Sequence, residues 1–189
     1  MEKLNTKVAI IGSGPAGLLL GQLLYKAGID HIIIEQRSAE YVSSRIRAGI
    51  LEQVSVDLLK EAGVDQNLQK KGLPHSGIEI LTNGVKQRID LSKLTNGKQV
   101  TVYGQTEVTK DLMQAREQAN LLSFYEANDV KVTDFYGQPK ITFEHQGHSY
   151  QIECDFIAGC DGFHGVCRAS VPKDKIKTFE KVYRSEERL

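Results

Sequence analysis

Apolar residues along this chain fall into short runs with two periods. Val8-Ala9-Ile10-Ile11 is continuous and predicts a buried strand over residues 7–12. Ala16, Leu19, Leu20, Leu23, Leu24 and Ala27 then recur at helical spacing, predicting a helix over 15–27 with Gly28 placed to cap its C-terminus. His31-Ile32-Ile33-Ile34 predicts a second strand over 31–35, and its lack of alternation fits a parallel strand covered on both faces. Leu51 to Ala62 predicts a second helix ended by Gly63. Asn83-Gly84, between residues 78–81 and 86–91, predicts a β-hairpin. Residues 100–103 predict a short strand broken by Gly104. Thr106 is placed to N-cap a helix reaching Asn120, with Glu107 favourable in its first turn.

From Val130 to Ile152 the pattern predicts a small antiparallel meander, with turns at Tyr136-Gly137 and Gln146-Gly147. Asp155-Phe156-Ile157-Ala158-Gly159 then returns as an apolar strand. In a doubly wound fold such a meander can replace a crossover helix and let the returning strand rejoin the parallel sheet. A helical turn is expected at Val166–Ser170, and residues 175–183 have the character of an edge strand with a frayed tail.

Gly12-Ser13-Gly14-Pro15-Ala16-Gly17 joins the first strand to the first helix, and Glu35 closes the second strand. This is the dinucleotide-binding arrangement of strand, glycine turn, helix and acid-terminated strand. Gly12 permits the tight turn, Gly14 lets a diphosphate approach the backbone, and Gly17 and Gly21 let the helix lie close to the sheet. The helix N-terminus offers free N–H groups and partial positive charge to the phosphates. Glu35 is placed to accept hydrogen bonds from ribose hydroxyls. The alternative is a glycine-rich turn in some other α/β domain. The fingerprint does not distinguish a flavin from a nicotinamide dinucleotide.

With 189 residues, the chain has room for one α/β domain, or one domain and part of another. Lys plus Arg and Asp plus Glu are 24 each, a balance that argues against nucleic-acid binding. No apolar run approaches the length of a bilayer span, and the polar start Met1 to Lys7 has no signal-peptide core, so a cytoplasmic location is expected. Cys154, Cys160 and Cys167 form no C-x-x-C pair and read as free thiols. His145 and His148 flank the Gln146-Gly147 turn and read as a hairpin tip; no metal site is expected.

Two further segments carry chemistry. Arg45-Ile46-Arg47-Ala48-Gly49 suits a stretch laid along an anionic ligand, because guanidinium groups grip phosphate bidentately. The alternative is a basic surface turn. Gly159-Cys160-Asp161-Gly162-Phe163-His164-Gly165 is a second glycine-rich turn at the end of the returning strand, where ligands bind in open α/β sheets. Asp161 could pair with Arg45 or Arg47 or accept from a ribitol or ribose, and His164 could donate to a phosphate. The plain alternative is a turn aspartate beside an exposed histidine.

Taken together, Gly12-x-Gly14-x-x-Gly17, Glu35, Arg45 to Gly49, Tyr103-Gly104-Gln105-Thr106-Glu107-Val108-Thr109 and Ile157 to Gly165 resemble the single-component FAD-dependent aromatic hydroxylases. The likeness runs from Lys7 to Tyr183. It implies a Rossmann-like FAD/NAD(P)-binding α/β domain with a parallel sheet, an antiparallel β-meander crossover and a β-hairpin insertion. That domain would span residues 1–175, with residues 72–103 contributing to the start of a substrate domain and 176–189 holding its truncated first strand and a divergent tail.

The same likeness implies FAD in the first site and NADPH as co-substrate, with NADH possible. Gly12, Gly14, Ala16 and Gly17 would meet the phosphates, Glu35 the adenosine ribose and Arg47 the diphosphate. Arg45, Ile46, Arg47, Ala48, Gly49 and Ile50 would flank the flavin, Gln105 would hydrogen-bond FAD, and Asp161-Gly162 matches the second cofactor motif. The segment Gln36 to Ser44, with Gln36, Arg37 and Tyr41, matches the region that receives NADPH, joined by Arg45, Arg47 and His164. Gln36-Arg37 is a local variation there. Ala16 stands where the family often has a small hydroxyl residue. The implied reaction of the complete enzyme is hydroxylation of 4-hydroxybenzoate to 3,4-dihydroxybenzoate in a homodimer.

The likeness stops about halfway through a family member. No residue is assigned as catalytic, since the substrate-contacting residues would lie beyond Leu189, and the chain alone is expected to be an inactive fragment. Two other readings stay open: a non-catalytic FAD- or ADP-binding fragment, and an NAD(P)-dependent dehydrogenase domain, which the Arg45–Gly49 and Asp161–Gly162 segments disfavour.

Overall fold

Parallel strand pairing organises the computed structural model, which describes residues 1–179 and residue 181. The chain begins with β1 (Glu2–Ile11), α1 (Pro15–Lys26), β2 (His31–Ile34) and α2 (Ala39–Ser44). It continues through β3 (Ile50–Glu52), α3 (Gln53–Glu61), α4 (Gln66–Lys71), β4 (Leu73–His75), β5 (Gly77–Thr82), β6 (Val85–Asp90) and α5 (Leu91–Leu94). There follow β7 (Val100–Val102), α6 (Gln105–Gln118), β8 (Ser123–Phe124), β9 (Asn128–Thr133), β10 (Lys140–His145), β11 (His148–Gly159) and α7 (Val166–Ser170).

The main sheet has the order β8-β2-β1-β11-β10-β9. Strands β8, β2, β1 and β11 run parallel, whereas β10 pairs antiparallel with both β11 and β9. The expected α/β architecture, with a meander in the crossover, is therefore present. The uninterrupted apolar run of β2 has its cause here. Ile33 packs with Ile10, Leu18 and Leu112 in one cluster, while Ile32 and Ile34 pack with Phe124, Ile141 and Ile152 in another. Each such side chain contributes about 1.5–3 kcal/mol on full burial. The second cluster is where the meander does the work of a crossover helix, through Val132, Ile141 and Phe143.

Several boundaries differ from the sequence pattern. β1 starts at Glu2 rather than residue 7, because β11 offers it a partner from Tyr150 to Gly159. The meander's last segment and the returning strand are one continuous strand, β11, whose first half also pairs with β10. The helix expected from Leu51 begins at Gln53, since Ile50–Glu52 is drawn into β3 by pairing with β7. Helix α6 is capped by Gly104, whose carbonyl accepts from Glu107 and Val108, so Thr106 lies inside the helix. Helix α2 was not expected; Ser38 caps it by accepting from the Tyr41 N–H at 3.2 Å. The short elements α4, β4, α5 and β8 carry too few residues to show a period.

The Asn83-Gly84 hairpin is present, both residues having the positive φ of a type I′ turn (51° and 79°). Strands β5 and β6 form their own two-stranded sheet, and β3, β7 and β4 form a third. His145 and His148 face each other across the β10–β11 turn, and the His145 ring packs on Phe124 and Tyr150. Of the edge strand expected over 175–183, residues 176–179 carry no strand pairing; residues 180 and 182–189 lie outside the described residues.

Candidate functional site

The C-terminal ends of β1, β2 and β11 converge on two turns that touch. Gly12 leaves β1 with φ +106°, and its N–H donates to the Ile34 carbonyl at 2.8 Å. A Cβ on Gly12 would overlap the Cys160 carbonyl oxygen in the second turn. The Cys160 N–H in turn donates to the Ile11 carbonyl at 2.7 Å. Sequence spacing placed each turn at a strand end; the structure joins them back to back.

Helix α1 begins at Pro15 behind an N-cap, Gly14, that provides no side-chain bond to its first N–H groups. A Cβ built on Gly14 would meet nothing within 4 Å, and Ala16 beside it is exposed. Open space in front of an uncapped helix N-terminus fits a diphosphate, which would satisfy the orphan donors and complement the helix dipole. Gly17 faces inward instead, against the Gly12 carbonyl and the Cys160 side chain.

Glu35 is fixed by two backbone donors. Its Oε2 accepts from the Ser13 N–H and its Oε1 from the Arg37 N–H, both at 2.7 Å. Each oxygen keeps a lone pair for a ligand hydroxyl. Ser13 is fully buried, and its Oγ donates to the Tyr125 hydroxyl at 3.1 Å. Burial pushes the Tyr125 phenol above its ordinary pKa, so it stays protonated. Ser13 and Tyr125 escaped the sequence reading because 112 residues separate them and no local pattern links them.

Asp161 is engaged differently from the expectation of an ion pair with Arg45 or Arg47. Its Oδ2 accepts from the Cys167 N–H at 2.9 Å, at the start of α7. No ion pair joins it to either arginine among the described residues. The backbone N–H was the nearer donor, since the turn folds directly back on the carboxylate. His164 is exposed with its ring edge-on to Phe163, and Gly162 takes φ +76°.

The arginine segment is an exposed strip leading into β3, with Ile46 87% exposed. Gly49 lets it approach the other chain segment: a Cβ there would lie 2.8 Å from the Gly104 Cα. The Tyr103 N–H donates to the Gly49 carbonyl at 2.7 Å, which brings Gln105, the first residue of α6, beside Arg45–Ile50. On α2, the guanidinium groups of Arg37 and Arg45 both lie over the Tyr41 ring, at 5.3 and 5.7 Å, and Arg45 Nη1 donates to the Tyr41 hydroxyl at 2.9 Å. Gln36 is exposed between Glu35 and this stack. Among the described residues no acidic side chain pairs with Arg37, Arg45 or Arg47.

Comparison with known proteins agrees with this geometry. A family model described as an FAD binding domain matches residues 5–187. The chain is 82% identical over 183 residues to p-hydroxybenzoate hydroxylase of Acinetobacter baylyi, covering 97% of this chain and 45% of that relative. It thus spans less than half the relative's length. Two solved structures share the fold. One is p-nitrophenol 4-monooxygenase from Pseudomonas putida, with TM-score 0.77, 20% identity and coverage of 90% of this chain and 44% of that one. The other is a probable FAD-dependent monooxygenase from Pseudomonas aeruginosa, with TM-score 0.77, 17% identity and coverage of 95% and 48%.

Proposed function

We propose, for a chain that belongs to the FAD-binding domain family, that it supplies the FAD- and NADPH-binding half of a 4-hydroxybenzoate 3-monooxygenase. The observation that carries cofactor binding is the open, uncapped N-terminus of α1 beside a carboxylate, Glu35, already held by two N–H groups. The likeness to p-hydroxybenzoate hydroxylase supports the substrate. The chemistry that FAD supplies when bound is redox chemistry, namely hydride acceptance from a nicotinamide and reaction with dioxygen.

The chain's own residues bind and orient. Gly14, Ala16 and Gly17 offer backbone donors to the diphosphate, joined by Arg47, while Gly12, whose N–H is held by the Ile34 carbonyl, shapes the turn around it. Glu35 accepts from the adenosine ribose. Arg45 through Ile50 and Gln105 line the flavin side, and Asp161-Gly162 approach from the second turn toward the ribitol. Arg37, Tyr41 and Arg45, with Gln36, Arg47 and His164, form the NADPH surface. The absence of acidic partners for the three arginines among the described residues supports an anionic ligand there.

Residues 1–175 form the cofactor domain, and residues 72–103, which leave the main sheet as β4 to β7, begin a substrate domain. The exposed apolar residues Ile78, Ile80 and Val85 on the β5–β6 ribbon support a covering element there. The complete enzyme acts as a homodimer in the cytoplasm; the three free cysteines support a reducing compartment. No helix among the described residues is long and apolar enough to cross a membrane.

The test is calorimetric titration of the purified chain with FAD, ADP and NAD, followed by NADPH oxidation assays on a chain extended to the relative's length. FAD and ADP binding with no NAD binding, and NADPH oxidation stimulated by 4-hydroxybenzoate in the extended chain, are expected. NAD binding without FAD binding would overturn the reading in favour of a dehydrogenase domain.

A further inference from the structure

We infer that Tyr125 is a positioning residue for Glu35, acting through the Ser13 hydroxyl; this rests on the reading that Glu35 meets the adenosine ribose. Ser13 carries the single side chain in Gly12-Ser13-Gly14. Glycine on either side gives the backbone its widest conformational choice, so the Ser13 side chain is what can fix the direction of the Ser13 N–H. That side chain is fully buried, and its Oγ donates to the Tyr125 hydroxyl at 3.1 Å. The Ser13 N–H donates to Glu35 Oε2 at 2.7 Å. Two hydrogen bonds therefore lead from Tyr125 to the carboxylate.

The same contacts close into a ring. Tyr125 follows β8, and its neighbours bracket Glu35 through the main chain. The Glu35 N–H donates to the Phe124 carbonyl at 2.8 Å, and the Ala127 N–H donates to the Glu35 carbonyl at 2.9 Å. Three segments distant in sequence are thus linked: the end of β8 to the end of β2, β2 to the β1–α1 turn, and that turn back to Tyr125. The backbone bonds fix where the Glu35 side chain starts, and the Ser13 link fixes where its carboxylate ends. Oε2 is held against the turn whose next residues, Gly14 and Ala16, face open space. A ribose hydroxyl arriving there meets an acceptor with little side-chain freedom left to lose.

The experiment is calorimetric titration of ADP, FAD and 2′,3′-dideoxy-ADP into the native chain and into Y125F, S13A and the double variant, with thermal midpoints of the ligand-free proteins. Dideoxy-ADP keeps the adenine and the diphosphate but lacks the ribose hydroxyls from which Glu35 would accept. The native chain is expected to bind it more weakly than ADP. Y125F and S13A are each expected to bind ADP and FAD about fivefold more weakly, the scale of one neutral hydrogen bond, with dideoxy-ADP within about twofold of native. The double variant is expected to bind no more weakly than the poorer single variant, because both changes remove the same bond. A merely structural role for Tyr125 would weaken ADP and dideoxy-ADP alike.

Native ADP affinity in Y125F and S13A, equal losses of ADP and dideoxy-ADP, or additive losses in the double variant would overturn the inference. If Y125F does not fold, S13A decides on the same pair of ligands. If the native chain binds ADP and dideoxy-ADP alike, or binds neither, Glu35 does not serve the ribose, and that reading fails together with the inference. A native chain that prefers ADP, beside a Y125F that keeps the preference in full, defeats the inference alone.

Discussion

Gly12 and Cys160 meet backbone to backbone: a side-chain carbon on Gly12 would overlap the Cys160 carbonyl oxygen and lie 2.8 Å from the Asp161 nitrogen. The two glycine-rich turns thus share one contact with no room for a methyl group. Gly12 also holds φ +106°, which an L side chain strains to adopt. Gly12→Ala is expected to destabilise the fold by about 3 kcal/mol, the sum of strain and steric displacement. FAD affinity should fall more than tenfold at the same time. Urea unfolding and FAD titration check both, and a native unfolding midpoint would contradict the contact.

His31 and Arg116 make a different kind of pair. Arg116 is 4% exposed, and Nη1 lies 2.7 Å from His31 Nε2, while His31 Nδ1 lies 3.0 Å from the Ile29 carbonyl. The carbonyl fixes Nδ1 as donor, so Nε2 accepts from the guanidinium and the imidazole is neutral. Arg116 also donates to Ser123 Oγ at 2.6 Å and to the Leu122 carbonyl, all neutral acceptors, and burial lowers its own pKa to about 10. Burial, then the nearby guanidinium, lowers the His31 pKa below 6.5, the Ile29 carbonyl opposing them. A depressed histidine leaves the unfolded chain holding more protons just below pH 6.5, so stability is full above that value and falls as pH drops through the folded pKa. His31→Gln keeps an acceptor that does not titrate. Urea midpoints at pH 7.5 and 5 should therefore fall more steeply for the native chain than for His31→Gln; equal slopes would remove His31 from the account.

How much of this was legible in the sequence follows from the range of each interaction. The α1 turn, β2 and the Asn83-Gly84 hairpin are written locally, in period and in turn chemistry, and all were found. Glu35 was singled out as a candidate ribose acceptor, but its grip on the Ser13 and Arg37 N–H groups was not legible, because a side chain's hydrogen bonds carry no sequence period. The single-strand nature of β11 was hidden because polar Glu153 and Asp155 interrupt its apolar run, although pairing to β1 continues through both. Asp161 was singled out from its glycine neighbours, yet its partner, Cys167, read as an ordinary thiol. Tertiary contacts decided what the local pattern left open.

Glu35→Gln tests the ribose site. One carboxylate oxygen becomes an NH₂ group, which must face either the Ser13 or the Arg37 N–H, donor against donor. The amide also accepts more weakly from ligand hydroxyls. FAD and ADP affinities are both expected to fall about tenfold or more, and adenosine should be affected alike, since the ribose is common to all three. Calorimetric titration of the three ligands checks this. Loss confined to FAD would move Glu35 away from the ribose.

Tyr103→Phe probes a bond outside the two glycine-rich turns. The Tyr103 hydroxyl donates to Asp111 Oδ2 at 2.6 Å, while Asn67 Nδ2 donates to Asp111 Oδ1 at 2.7 Å, tying β7's end and α4 to α6. Removing the hydroxyl costs the carboxylate one of two donors, about 1.5–3 kcal/mol for a bond to a charged group. The ring and the backbone bond to Gly49 remain, so FAD affinity should stay native. Burial, then the bond to Asp111, raises the phenol above its ordinary 10.0. A raised folded pKa means this contribution is complete below pH 10 and is lost as pH climbs through the folded value. Urea unfolding at pH 7.5 should separate native from Tyr103→Phe by the stated amount, and the gap should narrow in strong alkali. A gap independent of pH up to alkaline unfolding would mean that packing, not the Tyr103–Asp111 bond, sets the difference.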